Sequence, residues 1–138
     1  MTETSEAIVS YSLGKNYKLC SRKTIDEVFK AGVSIKAYPF IALIYPTQFS
    51  DGNSLKFVFS APKKKFKKAV QRNRVKRICK EAVRLNKSSL EEYLVNNKQQ
   101  LAVVLIYTSN DELKFEQLQR KTQKLFNAII QHLNEANT

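Results

Sequence analysis

Apolar residues in the first third of the chain recur at helical spacing and predict a short amphipathic helix at residues 22–31. Ser21 can accept a hydrogen bond at its start, and Gly32 supplies a stop at its end. The apolar face of this helix consists of Ile25, Val28 and Phe29.

The next two apolar stretches have the composition and alternation of β-strands. "SIKAYPFIALIYP" at 34–46 is rich in β-branched and aromatic residues and closes on Pro46, so it predicts one strand. "LKFVFS" at 55–60 alternates in type and predicts a second strand. The turn-forming cluster "SDGNS" joins the two, so we expect them to pair as an antiparallel hairpin.

The following segment predicts a helix with two contrasting faces. On a helical wheel, one arc is apolar and consists of Val75, Ile78, Cys79, Ala82, Val83 and Leu85. The opposite arc is basic or polar and consists of Asn73, Arg74, Lys76, Arg77, Lys80 and Arg84. Arg72 lies at the border between the arcs. The helix thus has one face for the core and a basic face opposite it.

The last third of the chain predicts a further short helix, a strand and a long helix. "NKSSLEEYLVNN" favours the short helix, 99–108 the strand, and helical apolar spacing runs from Phe115 to Leu133. The predicted order is α-β-β-α-(α)-β-α, an α+β fold in which helices pack on a single sheet. Residues 1–15 are small and polar and predict a loose extension, which leaves 16–138 as a single domain.

Positive charge is concentrated in one stretch of the chain. The 138 residues carry 24 Lys and Arg against 12 Asp and Glu, a net charge of +12. Residues 63–87 alone hold twelve basic side chains and one acid, a net charge of +11. Like charges at i and i+4 destabilise a helix. A surplus this localised therefore indicates a polyanionic partner.

The residue types narrow the choice of polyanion. A helix that lies on a membrane carries large apolar side chains, whereas this apolar face is small and suits packing on a sheet. Arginine forks and mobile lysines suit a phosphate backbone, and Asn73 can reach a base edge or a ribose hydroxyl. The sequence therefore predicts nucleic acid rather than membrane, and charge alone leaves DNA and RNA both open. The plainer alternative is that the basic face of this helix is only exposed to solvent and binds no ligand.

The chain offers no side-chain constellation for catalysis or metal binding. His132 is the single histidine, Cys20 and Cys79 lie far apart without metal-ligand spacing, and the carboxylates are scattered. The N-terminal residues lack the layout of a signal peptide, and the longest apolar run, 101–107, is too short to span a bilayer. We therefore expect a cytoplasmic protein with free thiols, no catalytic side chains and no metal site of its own.

The basic segment resembles the signature of the bacterial ribonuclease P protein component. "KKKFKKAVQRNRVKRICKEAVRL" has the family's Lys-Lys, Ala-Val, Arg-Asn-Arg and Lys-Arg in the same order and spacing. "YKLCSRKTIDEVFKAG" is similar to the family's N-terminal helix, and "LKFVFSAPKK" to the strand that leads into the signature. The departures are Lys67-Lys68, where many members carry Gly-Asn, and Ile25 and Leu43, where aromatic residues are frequent.

The resemblance implies a protein subunit of an endoribonuclease whose RNA is the catalyst. In that family the RNA uses magnesium ions, which it mainly holds itself, and the protein assists removal of the 5′ leader from precursor tRNA. The implied fold is similar to that of ribosomal protein S5, with a left-handed crossover between two parallel strands. A ribosomal or other structural RNA-binding protein is the alternative. A nuclease that acts without RNA would need a cluster of carboxylates, and the sequence does not show one.

Two surfaces follow from the resemblance. A docking surface would bind the catalytic RNA through Lys63, Lys64, Lys65, Lys67, Lys68, Arg72, Asn73, Arg74, Lys76, Arg77, Lys80 and Arg84. A leader cleft between the sheet and the first helix would take the single-stranded leader of precursor tRNA through Ile25, Phe29, Leu43, Tyr45 and Phe57. For these five residues, ordinary core packing is the alternative.

Overall fold

Three helices and a four-stranded sheet make up the part of the chain that the computed structural model describes, which is residues 17–19, 21–61, 66–109, 111 and 113–136. The α+β class with helices packed on one sheet is confirmed. The elements, in chain order, are α1 Arg22–Ala31, β1 Val33–Ala37, β2 Phe40–Pro46, β3 Leu55–Ser60, α2 Ala69–Asn96, β4 Leu101–Tyr107 and α3 Phe115–Ala136. The predicted extension at 1–15 falls outside the described residues.

The sheet places the last strand of the chain between two earlier ones. Its order is β1-β2-β4-β3, and β4 pairs antiparallel with β2 and parallel with β3. The predicted hairpin between β2 and β3 is therefore wrong. β4 is buried along almost its whole length, so it takes an inner position with a neighbour on each side. The parallel β3–α2–β4 connection agrees with the resemblance, and its left-handedness stays a prediction.

The predicted strand at 34–46 is two strands joined by a tight turn. β1 and β2 pair antiparallel, with Ala37 opposite Phe40, and the turn consists of Tyr38 and Pro39, whose peptide bond is cis. Proline has no N–H for a strand ladder, which explains why the strand is interrupted there. The observed order is therefore α-β-β-β-α-β-α.

Helix α1 has the predicted bounds because its capping signals are local. The Thr24 backbone N–H donates to Ser21 Oγ at 3.2 Å, and the Gly32 N–H donates to the Val28 carbonyl at 2.8 Å. A Cβ at Gly32 would collide with the Val28 carbonyl oxygen and lie 3.1 Å from the Ile44 carbonyl oxygen. The glycine therefore lets the end of α1 approach β2 closely.

Helix α2 is longer than predicted and includes the residues after Leu85 that were expected to form a separate short helix. It runs unbroken for 28 residues, because its buried stripe continues through Leu90 and Leu94 and no glycine or proline interrupts it. The helix ends where the Asn97 N–H donates to the Tyr93 carbonyl and Lys98 adopts a positive φ of 54°. None of the described helices is long and apolar enough to cross a membrane.

The two faces of the sheet are covered unequally. On one face, α2 and α3 close a large core that includes Phe40, Ile44, Leu55, Phe57, Leu101, Leu105, Leu118, Leu125 and Phe126. On the other face, α1 is the one described helix that packs over β2 and β4, and Val28 and Leu19 are buried there against Ala102 and Val104. Several apolar side chains around α1 are only partly buried, so this second face stays partly open.

Residues 17–19 line the outer edge of β3. Lys18 forms a parallel bridge with Phe57, and the Leu19 N–H donates to the Phe57 carbonyl at 2.8 Å. An uncovered strand edge offers unpaired backbone groups. The short segment before α1 therefore protects the edge and connects it to the α1 face.

Candidate nucleic-acid interface

The basic face of α2 is exposed and backed by the core, as the helical wheel predicts. Val75, Cys79, Ala82 and Val83 are at most 2% exposed, and they pack beneath the helix. On the opposite side, four residues at the centre of the predicted docking surface are exposed: Asn73, Arg74, Arg77 and Lys80. These side chains project from a helix whose position the sheet fixes.

Lys76 and Arg84 are half-buried members of the predicted docking surface. Lys76 lines a crevice between α2 and the sheet, together with Phe59 and Tyr107. The Arg84 guanidinium forms an ion pair with Glu81 one turn earlier, and this partner holds the pKa of Glu81 below its usual range. Arg84 therefore has a protein partner already.

Arg72 acts on the segment that leads into α2. Its Nη1 donates to the Phe66 carbonyl at 2.8 Å and to the Lys67 carbonyl at 2.9 Å. Phe66 is 4% exposed, and its ring lies 5.8 Å from that of Tyr107. Arg72 and Phe66 thus fix the backbone from which the exposed Lys67 and Lys68 project.

The beginning of α2 is electropositive. Its N-cap, Lys68, makes no side-chain capping hydrogen bond, and no acidic residue occupies the first turn. The first backbone N–H groups of a helix carry partial positive charge, which normally attracts acidic side chains. Lysines at this position add to that field. The predicted docking residues Lys63, Lys64 and Lys65 lie outside the described residues.

Lys87 belongs to the basic stretch of the sequence but not to its surface. It is 0% exposed, and its Nζ lies 4.6 Å from the centre of the Tyr17 ring, 3.4 Å from Tyr17 Oη and 3.7 Å from Glu91 Oε1. The Tyr17 hydroxyl donates to Glu91 Oε2 at 2.7 Å. Burial lowers the pKa of Lys87 and raises the pKa of Tyr17 well above its usual range. We call Tyr17, Lys87 and Glu91 the buried clasp.

The sequence contained a signal for the burial of Lys87. Val83, Leu90 and Leu94 are all buried on α2, and Lys87 continues their row at helical spacing. A position on the apolar stripe therefore predicts burial even for lysine. Its partner Tyr17 is 70 residues away in sequence, and nothing local indicates that contact.

Four of the five predicted leader-cleft residues lie on the α1 side of the sheet. Ile25, Leu43 and Tyr45 are partly buried around the same small cluster, and Phe29 on α1 is 57% exposed. The Tyr45 hydroxyl contacts Glu27 Oε2 at 3.4 Å and thereby links β2 to α1. This side of the molecule presents partly exposed apolar side chains beside a helix.

Phe57 lies on the other face of the sheet, which corrects its assignment to the cleft. It is 2% exposed, and its ring stacks on Phe59 at 5.9 Å and on Phe126 at 6.1 Å between centroids. Alternate residues of a strand point to opposite faces. In β3 it is Val58 that packs beside α1. Phe49, Val58 and Ile106 also belong to the α1 side, and none of them was among the predicted cleft residues. Val58 lies on the opposite face of "LKFVFS" from Phe57, but alternation alone does not tell which face lies beneath α1.

The described residues contain no group of three or more His, Cys, Asp or Glu side chains arranged to hold a metal ion. His132 lies half-buried near the end of α3. Cys79 is enclosed in the core, and burial raises the pKa of its thiol to about 12, which keeps it protonated and unreactive.

Comparisons with known proteins agree on one family. Residues 13–130 match the family model for ribonuclease P. The ribonuclease P protein component of Porphyromonas gingivalis strain ATCC 33277 is 34% identical over 116 residues, which cover 83% of this chain and 84% of that protein. The protein of the same description from Pseudoalteromonas translucida is 27% identical over 119 residues, which cover 86% and 78%.

Solved structures with the same fold are also ribonuclease P proteins. The Staphylococcus aureus protein superposes with a TM-score of 0.62 at 18% identity, over 80% of this chain and 93% of that one. The Thermotoga maritima protein superposes with a TM-score of 0.63 at 21% identity, over 79% and 94%. The shared fold and the family match, which spans most of the sequence, lead to one conclusion. The chain belongs to the ribonuclease P protein component family, and it is a subunit of a tRNA-processing endoribonuclease holoenzyme.

Proposed function

We propose that this subunit binds the catalytic RNA of ribonuclease P and the 5′ leader of precursor tRNA, and so assists removal of the leader. Family membership implies an RNA partner. The observation that carries the proposal is the exposed basic face of α2, where Glu81, the only acid in residues 63–87, is already paired with Arg84. A cationic face with its own acid neutralised is available to phosphates.

The docking surface would hold a phosphate backbone along the first turns of α2. Asn73, Arg74, Arg77 and Lys80 lie within eight residues, which is a rise of about 10 Å along the helix. Arginine offers a planar fork that grips phosphate with two hydrogen bonds, and lysine offers a mobile point charge. Lys67 and Lys68 extend the charge beyond the start of the helix. The described parts of the surface are thus suited to a folded RNA rather than to a single phosphate group.

The leader cleft would bind unpaired nucleotides on the α1 side of the sheet. Phe29 and Tyr45 provide aromatic surface there, and Ile25, Leu43 and Val58 provide apolar walls. Stacking on aromatic side chains tolerates any base, because every base has a π face. Such a cleft accommodates leaders of different sequence.

Magnesium enters this proposal through the RNA. The described carboxylates do not come together in a metal-binding group, so they do not fit a magnesium site on the protein. Lysine and arginine at the interface reduce the repulsion between two RNA molecules, and this lowers the concentration of magnesium that their association requires. A subunit that acts on newly made tRNA works where tRNA is transcribed, which supports a cytoplasmic location.

Reconstitution tests the proposal. The purified protein is incubated with precursor tRNA and magnesium, alone and with its cognate catalytic RNA, and the released leader is measured. We expect efficient cleavage at low magnesium only in the mixture. Cleavage by the protein alone would indicate a self-sufficient nuclease. Equal cleavage by the RNA with and without protein would indicate a structural RNA-binding protein.

A further inference from the structure

The turn between β1 and β2 presents an aromatic ring to solvent. Tyr38 is 62% exposed, more than any other aromatic side chain in the described part of the chain. Single apolar side chains on a protein surface are ordinary, so exposure alone does not indicate a site. Two further features distinguish Tyr38: how it is anchored and what surrounds it.

Hydrogen bonds anchor both the ring and the turn that carries it. The Tyr38 hydroxyl donates to Ser109 Oγ at 3.1 Å, and Ser109 is 1% exposed. Ser109 Oγ also accepts from the Asp111 N–H at 3.0 Å. The Thr108 N–H donates to the Pro39 carbonyl at 2.7 Å, which ties the turn to the end of β4. The ring is therefore held in place before a ligand arrives, and little side-chain entropy is left to lose on binding.

The turn lies at the end of the sheet where α2 begins. The ring of Phe40, the first residue of β2, is 6.0 Å from that of Tyr107, and the ring of Tyr107 is 5.8 Å from that of Phe66, three residues before α2. Exposed lysines occur in β1 and in the segments that lead into α2 and α3, namely Lys36, Lys67, Lys68 and Lys114. The exposed acids described there are Asp111 and Glu116. At this end of the sheet these four exposed lysines thus outnumber the two exposed acids.

We infer that Tyr38 is a stacking platform for an unpaired base of the catalytic RNA, with the neighbouring lysines bound to the flanking phosphates. Aromatic rings beside cationic side chains are the usual means of binding single-stranded nucleotides. The position favours the catalytic RNA over the leader, because the turn that carries Tyr38 lies at the end of the sheet where α2 begins, while the leader cleft lies beside α1. This inference rests on the proposed function.

Salt titration separates stacking from charge. The affinity of the full-length protein for the catalytic RNA is measured by filter binding at several salt concentrations. Stacking on one base corresponds to a loss of about 5- to 150-fold when the ring is removed. We expect Tyr38→Ala to lose affinity in this range at every salt concentration with an unchanged slope, because no counterion is released by stacking. Tyr38→Phe retains the ring and should retain most of the affinity.

Matched variants control for unfolding and for loss of apolar surface. Val95→Ala removes another exposed apolar side chain, 58% exposed in the last turn of α2, and should bind like the wild type. Tyr38→Leu keeps apolar bulk without a π face and should bind as weakly as Tyr38→Ala. Thermal melts verify that each variant is folded. Chemical probing of the RNA should show one unpaired nucleotide that the wild type protects and Tyr38→Ala does not.

Several results would overturn the inference. Wild-type affinity in Tyr38→Ala or in Tyr38→Leu would do so, and so would an equal loss in Tyr38→Phe, which would assign the effect to the hydroxyl network. A loss confined to precursor tRNA would move the platform to the leader and contradict the assignment. If the wild-type protein does not bind the catalytic RNA at all, the proposed function fails instead.

Discussion

At the scale of single residues, the buried clasp is the most unusual feature of the molecule. A fully buried lysine is tolerated only when partners compensate its charge. Lys87 has an aromatic face, a hydroxyl and a carboxylate around its ammonium group. Replacement of a buried charge by an apolar side chain is often neutral or stabilising, whereas removal of its partner is destabilising. The clasp therefore makes Tyr17 important to the fold chiefly because Lys87 is charged.

A double-mutant cycle tests this dependence. We expect Tyr17→Leu to lower the free energy of unfolding by about 1–3 kcal/mol in the wild-type background and by clearly less in the Lys87→Met background. Lys87→Met alone should be close to neutral. Urea denaturation gives all four values, and Lys124→Met on the exposed side of α3 is the control for loss of a lysine. Additive effects would show that Tyr17 and Lys87 are not coupled.

The clasp also predicts how stability depends on pH. Burial lowers the pKa of Lys87 in the folded protein, while the unfolded lysine keeps a pKa of about 10.4. The unfolded state then binds more protons below that value, so the wild type should gain stability relative to Lys87→Met as pH rises from 7 towards 9.5. Above about pH 10, ionisation of Tyr17 in the unfolded state lowers the stability of both proteins, so the comparison is made below that pH. Urea midpoints of both proteins across this range provide the measurement, and a constant difference would contradict the prediction.

At the scale of elements, strand alternation decides which aromatic residues are available to a ligand. Phe29 and Phe57 were both expected in the leader cleft, but Phe29 is exposed on α1 and Phe57 is buried beneath α2 and α3. The alternation in "LKFVFS" places Phe57 on an apolar face and Val58 on the opposite, more polar face, but it does not tell which of these faces lies beneath α1. The partner strand β4, buried on both sides, gave no help.

Two substitutions separate these roles. Phe29→Ala should weaken binding of precursor tRNA with a leader several-fold, leave binding of mature tRNA unchanged and hardly alter stability. Phe57→Ala should lower the free energy of unfolding by about 3–5 kcal/mol, because it opens a cavity in the core. Holoenzyme binding assays with the two tRNA forms and urea denaturation of the free protein provide the comparison. A leader-specific defect in Phe57→Ala with normal stability would reverse the assignment.

Local signals predicted elements well, and non-local pairing was the main source of error. The cap and stop of α1 lie within a few residues of the helix, and its bounds were predicted correctly. The two-faced α2 followed from one helical wheel, although its length did not, because nothing in the sequence marks the end of the first helical stretch. The neighbours of β4 depend on contacts across half the chain, and the turn signal at 50–54 indicated a hairpin that does not exist.

At the scale of the whole molecule, the positive charge is concentrated in one part of the sequence. The net charge of +12 is located almost entirely in residues 63–87, which include most of α2, while the described residues show no cluster of metal ligands. The basic face of α2 could be predicted because a helical face is encoded within a few turns of sequence. The burial of Lys87 and the contacts of Arg72 and Arg84 with other groups of the protein could not be predicted, because each depends on partners that are in place only after folding.

The salt dependence of RNA binding tests the assignment of the docking surface. Arg77→Ala should lower affinity for the catalytic RNA and flatten the plot of log affinity against log salt by roughly one unit, as expected for one lost phosphate contact. Arg120→Ala removes the same charge from an exposed position on α3 and should leave the slope unchanged. Filter binding over a range of potassium chloride concentrations measures both. Equal effects of the two substitutions would indicate that net charge, rather than the α2 face, governs binding.

The order of the strands has a consequence for synthesis on the ribosome. β1 and β2 are adjacent in the chain and can form a hairpin as soon as they emerge. β3 has no strand beside it until β4, which is separated from it by the whole of α2, has also left the exit tunnel. In the nascent chain, α2 is therefore exposed to solvent before the sheet on which it packs is complete. Folding of the subunit can therefore be completed only after the seven residues of β4 have been synthesised.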